Sequence, residues 1–381
     1  MDIQKSKNAE FGLPDNLLIR IKEQLQFSGW LLYLAHAIVV VFLLIIAGMG
    51  WVIGYWPIVL FWIPFGLACF LFVALIGTIV TVRFGWHPQE RLPKPKTELD
   101  AFDLMQARRS IRSFQSRELT EAHRVELLAV AKKQSRTESL IGDKPIRFEY
   151  VAAPLTVWPV VGAHEFLVAV APKTYDRTSV IDVGRSLQKT VLHATRMGLA
   201  TCWIGPGADQ NSVIKHLGDR FDPTQDHVIC VCAIGYESLF KPVAIRAMRK
   251  LQHKRLPLSE LFFEDPTFAL PLDINEEPFR TFGRCFEVCQ WAPSSYNSQT
   301  TRCAAVTTET EGKKRLIRFD FAATTTSRYY AAVALGIWCA NWDVGCDALG
   351  QQGHFAIFTE KARSTGISSE LSLYDISWVP D

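Results

Sequence analysis

The chain lacks most of the short motifs that announce chemistry. None of its 9 cysteines stands in a C-x-x-C pair, and no cluster of histidine and cysteine supplies ligand pairs at loop-compatible spacing, which argues against a zinc site. No G-x-G-x-x-G follows a strand pattern and no G-x-S-x-G surrounds a serine, so Rossmann and serine-hydrolase readings lose ground. Charge of one sign is also missing. With 41 basic and 38 acidic residues the formal net charge is only +3. No basic run is interleaved with aromatics, so a nucleic-acid partner is not expected. Cys230 and Cys232 alternate inside an apolar strand pattern and Cys285 and Cys289 sit one helical turn apart, which reads as reduced, buried thiols.

Charge is absent altogether from two long stretches, Gly29 to Ile53 and Ile58 to Val82. Each exceeds the roughly 20 apolar residues needed to cross a hydrocarbon core. Only Gly-Tyr-Trp-Pro separates them, so 29–82 reads as a two-helix transmembrane hairpin. Lys5, Lys7, Arg20 and Lys22 precede it, and Arg83, Arg91, Lys94 and Lys96 follow it. Positive flanks favour the cytoplasm, which places both ends and the soluble part on that side. Within 1–28, Leu13, Leu17, Leu18, Ile21 and Leu25 form a stripe at helical spacing. That amphipathic segment either lies in the headgroups or packs on the soluble domain. Residues 83–100, rich in proline and charge, read as a linker crossed by few contacts.

From residue 101 onward the pattern is α+β and contains a weak internal repeat. Gly184 and Gly198 are fourteen apart, as are Gly336 and Gly350, each pair set in a long apolar helix ending in glycine. Arg124–Ser135 can be set against Arg284–Ser295. Strands are expected at 147–153, 164–172 and 227–236 in one half and at 302–308 and 315–321 in the other. The halves are 101–265 and 266–381, the arrangement of a fused homodimer.

Two polar clusters remain. Ala107–Phe114, ARRSIRSF, crowds Arg108, Arg109 and Arg112 around Ser110. Forked guanidinium donors suit phosphate, although a solvated basic turn has the same composition. Trp291–Arg302, WAPSSYNSQTTR, ends a helix at Pro293. It then offers Ser294, Ser295, Asn297 and Gln299 as neutral donors and acceptors for a polyhydroxy chain or the edge of a heteroaromatic ring.

Those two motifs, with DVGRSLQKTVLHATRMGLATCWIG and CAIGYE…KRLPLSELFF in their order along the chain, resemble the FMN-dependent nitroreductase superfamily in its fused type. The resemblance covers about 102–381 and leaves the hairpin outside it. It implies a nitroreductase-like fold, a monomeric pseudo-dimer, and FMN as cofactor. Arg108, Arg109, Ser110 and Arg112 would grip the phosphate and ribityl chain, and Pro293, Ser294, Ser295, Asn297 and Gln299 would approach the ring. Ile204 and Gly205 would pass near the flavin, and Lys254 and Arg255 would form a basic pair near the phosphate. No metal and no acid–base residue is nominated. Each half lacks the motif the other carries, so one flavin per chain is expected. The implied activity is NAD(P)H-dependent reduction of a quinone, nitroaromatic or similar conjugated acceptor by an enzyme held in a lipid bilayer. The alternative is a flavin-binding or sequestering protein with little turnover.

Overall fold

The computed structural model describes residues 31–205, 208–242, 245–246, 254–325, 327–359, 363 and 374–381. The amphipathic segment expected in 1–28 lies outside the described residues. The first element, α1 (Leu31–Ile53), turns through Gly54 and Trp56, both at positive φ, and returns. The return begins as a wide turn of helix at Ile58–Trp62, continues as α2 (Ile63–Thr78) and ends in another wide turn at Ile79–Arg83. Both arms are long and apolar enough to cross a membrane, and only 17% of either apolar window is buried. That low figure separates them from the core helices of a soluble protein, which cover most of their apolar surface.

Residues 84–100 have no helix or strand, as their prolines require, yet they are not a free spacer. Glu90 is buried, its carboxylate accepting from the Ser238 hydroxyl and the Leu239 amide. The His87 ring stacks on Phe240 at 4.2 Å, and the Lys96 amide donates to the Arg196 carbonyl. Composition alone hides this docking, because a coil that hydrogen-bonds to its neighbour looks like one that does not.

Next come α3 (Ala101–Ala107), whose Asp100 cap accepts from the Asp103 amide at 2.7 Å, and α4 (Glu121–Gln134), capped by Thr120. Then follow β1 (Arg147–Ala152), β2 (Glu165–Pro172), α5 (Arg177–Arg196), β3 (Ala200–Ile204), α6 (Gln210–Leu217) and β4 (Asp226–Gly235). These strands form one antiparallel sheet in the order β1-β2-β4-β3. The second sheet takes β5 (Phe262–Phe263), β6 (Thr301–Thr310), β7 (Lys313–Ala323), β8 (Gly353–Ala356) and β9 (Tyr374–Pro380), in the order β5-β6-β7-β9-β8. Its helices are α7 (Arg284–Gln290) and α8 (Tyr330–Ala348). Strands β3, β5, β8 and β9 go beyond those expected from the sequence. Chain order assigns β5 to the first half, yet it pairs in parallel with β6 of the second. Phe262 thereby enters a cluster with Phe286, Trp338 and Trp342.

The centre of the molecule is the crossing of α5 and α8. A Cβ on Gly184 would meet the Val333 carbonyl oxygen at 2.3 Å, and one on Gly336 would meet that of Ile181 at 2.0 Å. Val333 and Ile181 stand in the same relation to the two glycines, so the contact is a local two-fold. The fourteen-residue spacing thus has a double origin. The first glycine of each pair permits the crossing; the second, Gly198 at φ 82° or Gly350 at φ 69°, ends the helix in the left-handed region.

Candidate functional site

A cavity of about 550 Å³ opens between the halves, a size typical of small-molecule sites. One wall is the arginine run, which leaves α3 as extended chain. Ser110 bridges to Thr201 beside β3, and the Ile111 amide donates to the Thr201 carbonyl at 2.9 Å. The Phe114 amide then bonds to the Val161 carbonyl and the Gln115 amide to that of Tyr236, so the run is pinned at three points. Arg108, Arg109, Ser110 and Arg112 all line the cavity, with Ile204 and Gly205 from the end of β3. A Cβ at Gly205 would meet the Tyr330 ring at 2.8 Å, which makes glycine necessary there.

Arg108 is the most informative of these residues. It is 5% exposed, and its Nε and Nη1 have no partner among the described residues. Burial, helped by Arg255 and Arg109 nearby, pushes its pKa down to about 10. A buried cation surrounded by cations is unfavourable by itself. An anion among them reverses the sign, and a phosphate fits the fork.

The opposite wall is the loop after α7. Pro293, Ser294, Ser295 and Asn297 line the cavity with Trp291. Tyr296, Asn297 and Gln299 all have positive φ, at 51°, 57° and 48°, a conformation that side chains other than glycine adopt at a cost. Cross-links hold the loop there. The Asn297 amide group donates to the Lys254 carbonyl at 2.7 Å, and its oxygen accepts from Arg255 at 2.9 Å. The Gln299 side-chain oxygen accepts from the Leu256 amide, its nitrogen donates to the Lys254 carbonyl, and its backbone amide donates to Ser294 Oγ.

Asn297 therefore reaches the cavity with both ends of its amide engaged, and Gln299 stands behind the wall. Lys254, an exposed residue that does not line the cavity, serves through its backbone carbonyl. Arg255 does line it, and its guanidinium lies 5.4 Å from the Trp291 ring. Arg109 lies 5.7 Å from the same ring, so two cations are drawn to one indole. The hydroxyls of Ser294 and Ser295, in the lining, are short donors that this side offers a ligand.

Sequence reasoning passed over Trp158, Trp203, Glu237, Lys241 and the α8 residues Tyr330, Val333, Ala334 and Ile337, which also line the cavity. Trp203 stands inside the quoted TCWIG, and its buried ring N–H has no partner among the described residues. The α8 residues carry no signal, because apolar side chains in an apolar helix look like core. Cys230 lines the cavity too, but burial pushes its thiol up to about 12, so it stays protonated and unreactive. Among the described residues no group of histidines, cysteines and carboxylates could hold a metal.

No curated protein matches the chain. Among solved structures, a "putative nitroreductase" of Thermotoga maritima is 15% identical over 77% of this chain and 96% of its own, with a TM-score of 0.43. A nitroreductase with bound FMN from Bacteroides fragilis is 15% identical over 37% of this chain and 89% of its own, at 0.31. A "putative NADH oxidase" of Clostridium acetobutylicum is 16% identical over 36% and 89%, at 0.30. At such scores the likenesses carry no argument. The family model described as "Putative TM nitroreductase" matches residues 100–338, which take in both cavity walls and the cavity-lining residues of α8. With well over half of its length matched, the chain belongs to the nitroreductase family and has its α+β fold.

Proposed function

We propose that the protein is a membrane-anchored, FMN-dependent oxidoreductase that passes electrons from NAD(P)H to a quinone, nitroaromatic or similar conjugated acceptor. The observation that carries the cofactor is Arg108, a buried guanidinium with two unpartnered nitrogens among other guanidiniums. Arg108, Arg109 and Arg112 would hold the phosphate, which carries nearly two negative charges at neutral pH. Ser110 would meet the polyhydroxy chain, and the ring would lie against Ile204, Gly205 and the α8 side chains. Bound there, flavin supplies the hydride and electron chemistry.

The rest is the work of this chain. Ser294 and Ser295 would present hydroxyl donors to the ring edge, where reduction adds negative charge. Lys254, Arg255, Asn297 and Gln299 would keep that loop in its unfavourable backbone conformation. Trp203 would offer its ring N–H from the half-one side. The two apolar arms at 31–83 support a membrane anchor, and the basic flanks support a cytoplasmic face for the soluble part.

The test is an absorbance spectrum of the detergent-purified protein, identification of the released flavin, and steady-state NAD(P)H oxidation with menadione or a nitrofuran. A yellow protein releasing FMN and turning over both acceptors is expected. Bound FMN without turnover would leave a flavin-sequestering protein. A colourless protein that binds no FMN would overturn the assignment.

A further inference from the structure

The cavity is fastened to the base of the hairpin on two sides. On the first, Val161 packs on a cluster made by Tyr33 and Leu75 with Ala37 and Ile79. The Val161 amide donates to the Arg112 carbonyl, and the Phe114 amide donates to the Val161 carbonyl, both at 2.9 Å. Trp158 and Pro159, just before it, line the cavity. On the second side the chain leaving the hairpin holds residues 237–240. His87 stacks on Phe240, Glu90 accepts from Ser238 and Leu239, and Gln115 donates to the carbonyls of both Arg91 and Glu237. Glu237 and Lys241 line the cavity.

The height of this junction follows from helix geometry. Ile79 lies four residues before Arg83, within one wide turn of helix and so less than about 6 Å along the axis, the distance at an α-helical rise of 1.5 Å per residue. A basic residue closing an apolar span marks the headgroup level, so Val161 meets the hairpin where headgroups give way to acyl chains. Phe84, Trp86 and Leu239 are 60%, 78% and 77% exposed at this same end. Such a belt suits an interface and has no purpose in water. Deeper in, the cavity presents Ile111, Ile204, Val333, Ala334 and Ile337, a lining for an uncharged ring.

We propose that the electron acceptor is a bilayer-dissolved quinone with an apolar tail. Its ring passes Trp158 and Pro159 into the cavity while the tail stays along the hairpin beside the partly exposed Ala37 and Ile79, under which Tyr33 and Leu75 are buried. This deepens, and rests on, the membrane-anchored oxidoreductase reading. In the net reaction NAD(P)H gives up a hydride, its C–H bond breaking, and solvent gives one proton. Two O–H bonds form on the quinone, which becomes the quinol as NAD(P)⁺ leaves.

The experiment uses the full chain, loaded with FMN, in lipid nanodiscs. Two quinones with the same ring are compared, one tailless and water-soluble, the other bearing a long isoprenoid tail and dissolved in the disc. The variant is Ile79→Ala, on the hairpin and outside the cavity lining. It should keep turnover of the tailless quinone within about twofold and lose about tenfold in kcat/KM for the tailed one, the weight of roughly two buried methylenes. Separately, a photoreactive tailed quinone, irradiated without nicotinamide, should label Trp158–Val161 and the Leu75–Ile79 face. Turnover of the tailless quinone alone, equal loss for both, or labelling elsewhere would overturn the bilayer route while leaving the oxidoreductase reading intact. If wild type reduces neither quinone, both readings fall.

Discussion

The cavity has a mate across the α5–α8 crossing, and the mate is filled. Gly336 and Gly184 are 152 positions apart. On that offset the cavity-lining residues Tyr330, Val333, Ala334 and Ile337 correspond to Thr178, Ile181, Asp182 and Arg185. Where α8 presents a tyrosine ring and three apolar side chains, α5 presents a carboxylate and a guanidinium that grip the chain's own backbone. The Asp182 carboxylate accepts from the amides of Ile141 and Gly142, both at 2.8 Å, and Arg185 donates to the Ser139 carbonyl at 2.7 Å. Gly142 fits so closely that a Cβ would meet Thr178 at 2.8 Å. One side of a near-symmetric interface thus keeps a pocket, and the other has turned the same helix positions into anchors for residues 139–142. A duplicated scaffold can lose a site by satisfying its polar groups internally, with no change of fold.

The largest effect that would break this comparison lies on the axis itself. Gly184→Ala and Gly336→Ala should each force the helices apart and lower stability by about 3 kcal/mol, the upper range for overpacking. Thermal or urea unfolding would measure it. Markedly unequal losses would deny the two-fold.

Next come buried Arg108 and half-buried Arg185, which should behave oppositely. Arg108→Leu removes charge-assisted contacts of about 1.5–3 kcal/mol and should weaken FMN binding roughly ten- to a hundredfold. The flavin-free protein should unfold no earlier than wild type, since an uncompensated buried charge is gone. Arg185→Leu, at the filled position, should lower the unfolding temperature and leave flavin affinity alone. Fluorescence titration paired with thermal unfolding separates the two. The same direction for both variants would erase the distinction.

A third prediction sharpens the count. Asp182→Ala strands two amides and should cost about 1–3 kcal/mol of stability. Flavin released per chain should remain at one in both wild type and variant. A ratio near two in either would mean that the mate also binds.

The smallest effects belong to the loop. Ser294→Ala should slow flavin reduction by NAD(P)H up to about tenfold, one hydrogen bond at the transition state. Ser139→Ala, in the filled half, should leave the rate unchanged. Asn297→Ala should act on loop order, because its amide is committed to Lys254 and Arg255. Stopped-flow reduction, with amide exchange across 293–299, would distinguish a lost donor from a loosened loop.

Much of this was readable in the residues, for identifiable reasons. The two charge-free runs, the glycine stops and the arginine run declare themselves through local composition. The complementary loss of motifs between halves was legible too, since each motif is contiguous. Matching the halves residue by residue was harder. Sequence similarity sets Gln134 and Ser135 against Ser294 and Ser295, but the helix ends at Gln134 and Gln290 move the counterparts to Glu138 and Ser139. A register shift of one helical turn is invisible without the helix boundaries. The bonds of Asn297 were hidden likewise: its partners Lys254 and Arg255 open the quoted KRLPLSELFF about forty residues earlier, and a basic pair does not announce that it holds a distant loop. The docking of the linker rests on Glu90, one carboxylate among ordinary surface charges.

The strand β5 has a consequence for how the protein is made. Phe262 and Phe263 leave the ribosome with the first half but complete the second sheet, and Phe262 finds Phe286, Trp338 and Trp342 only when those residues have been synthesised. Until then the nascent first half carries an unpaired apolar end. At roughly 5–20 residues per second that exposure lasts for several seconds. The first half is therefore unfinished on its own, and a chain interrupted before α8 presents the quality-control machinery with an adhesive tail.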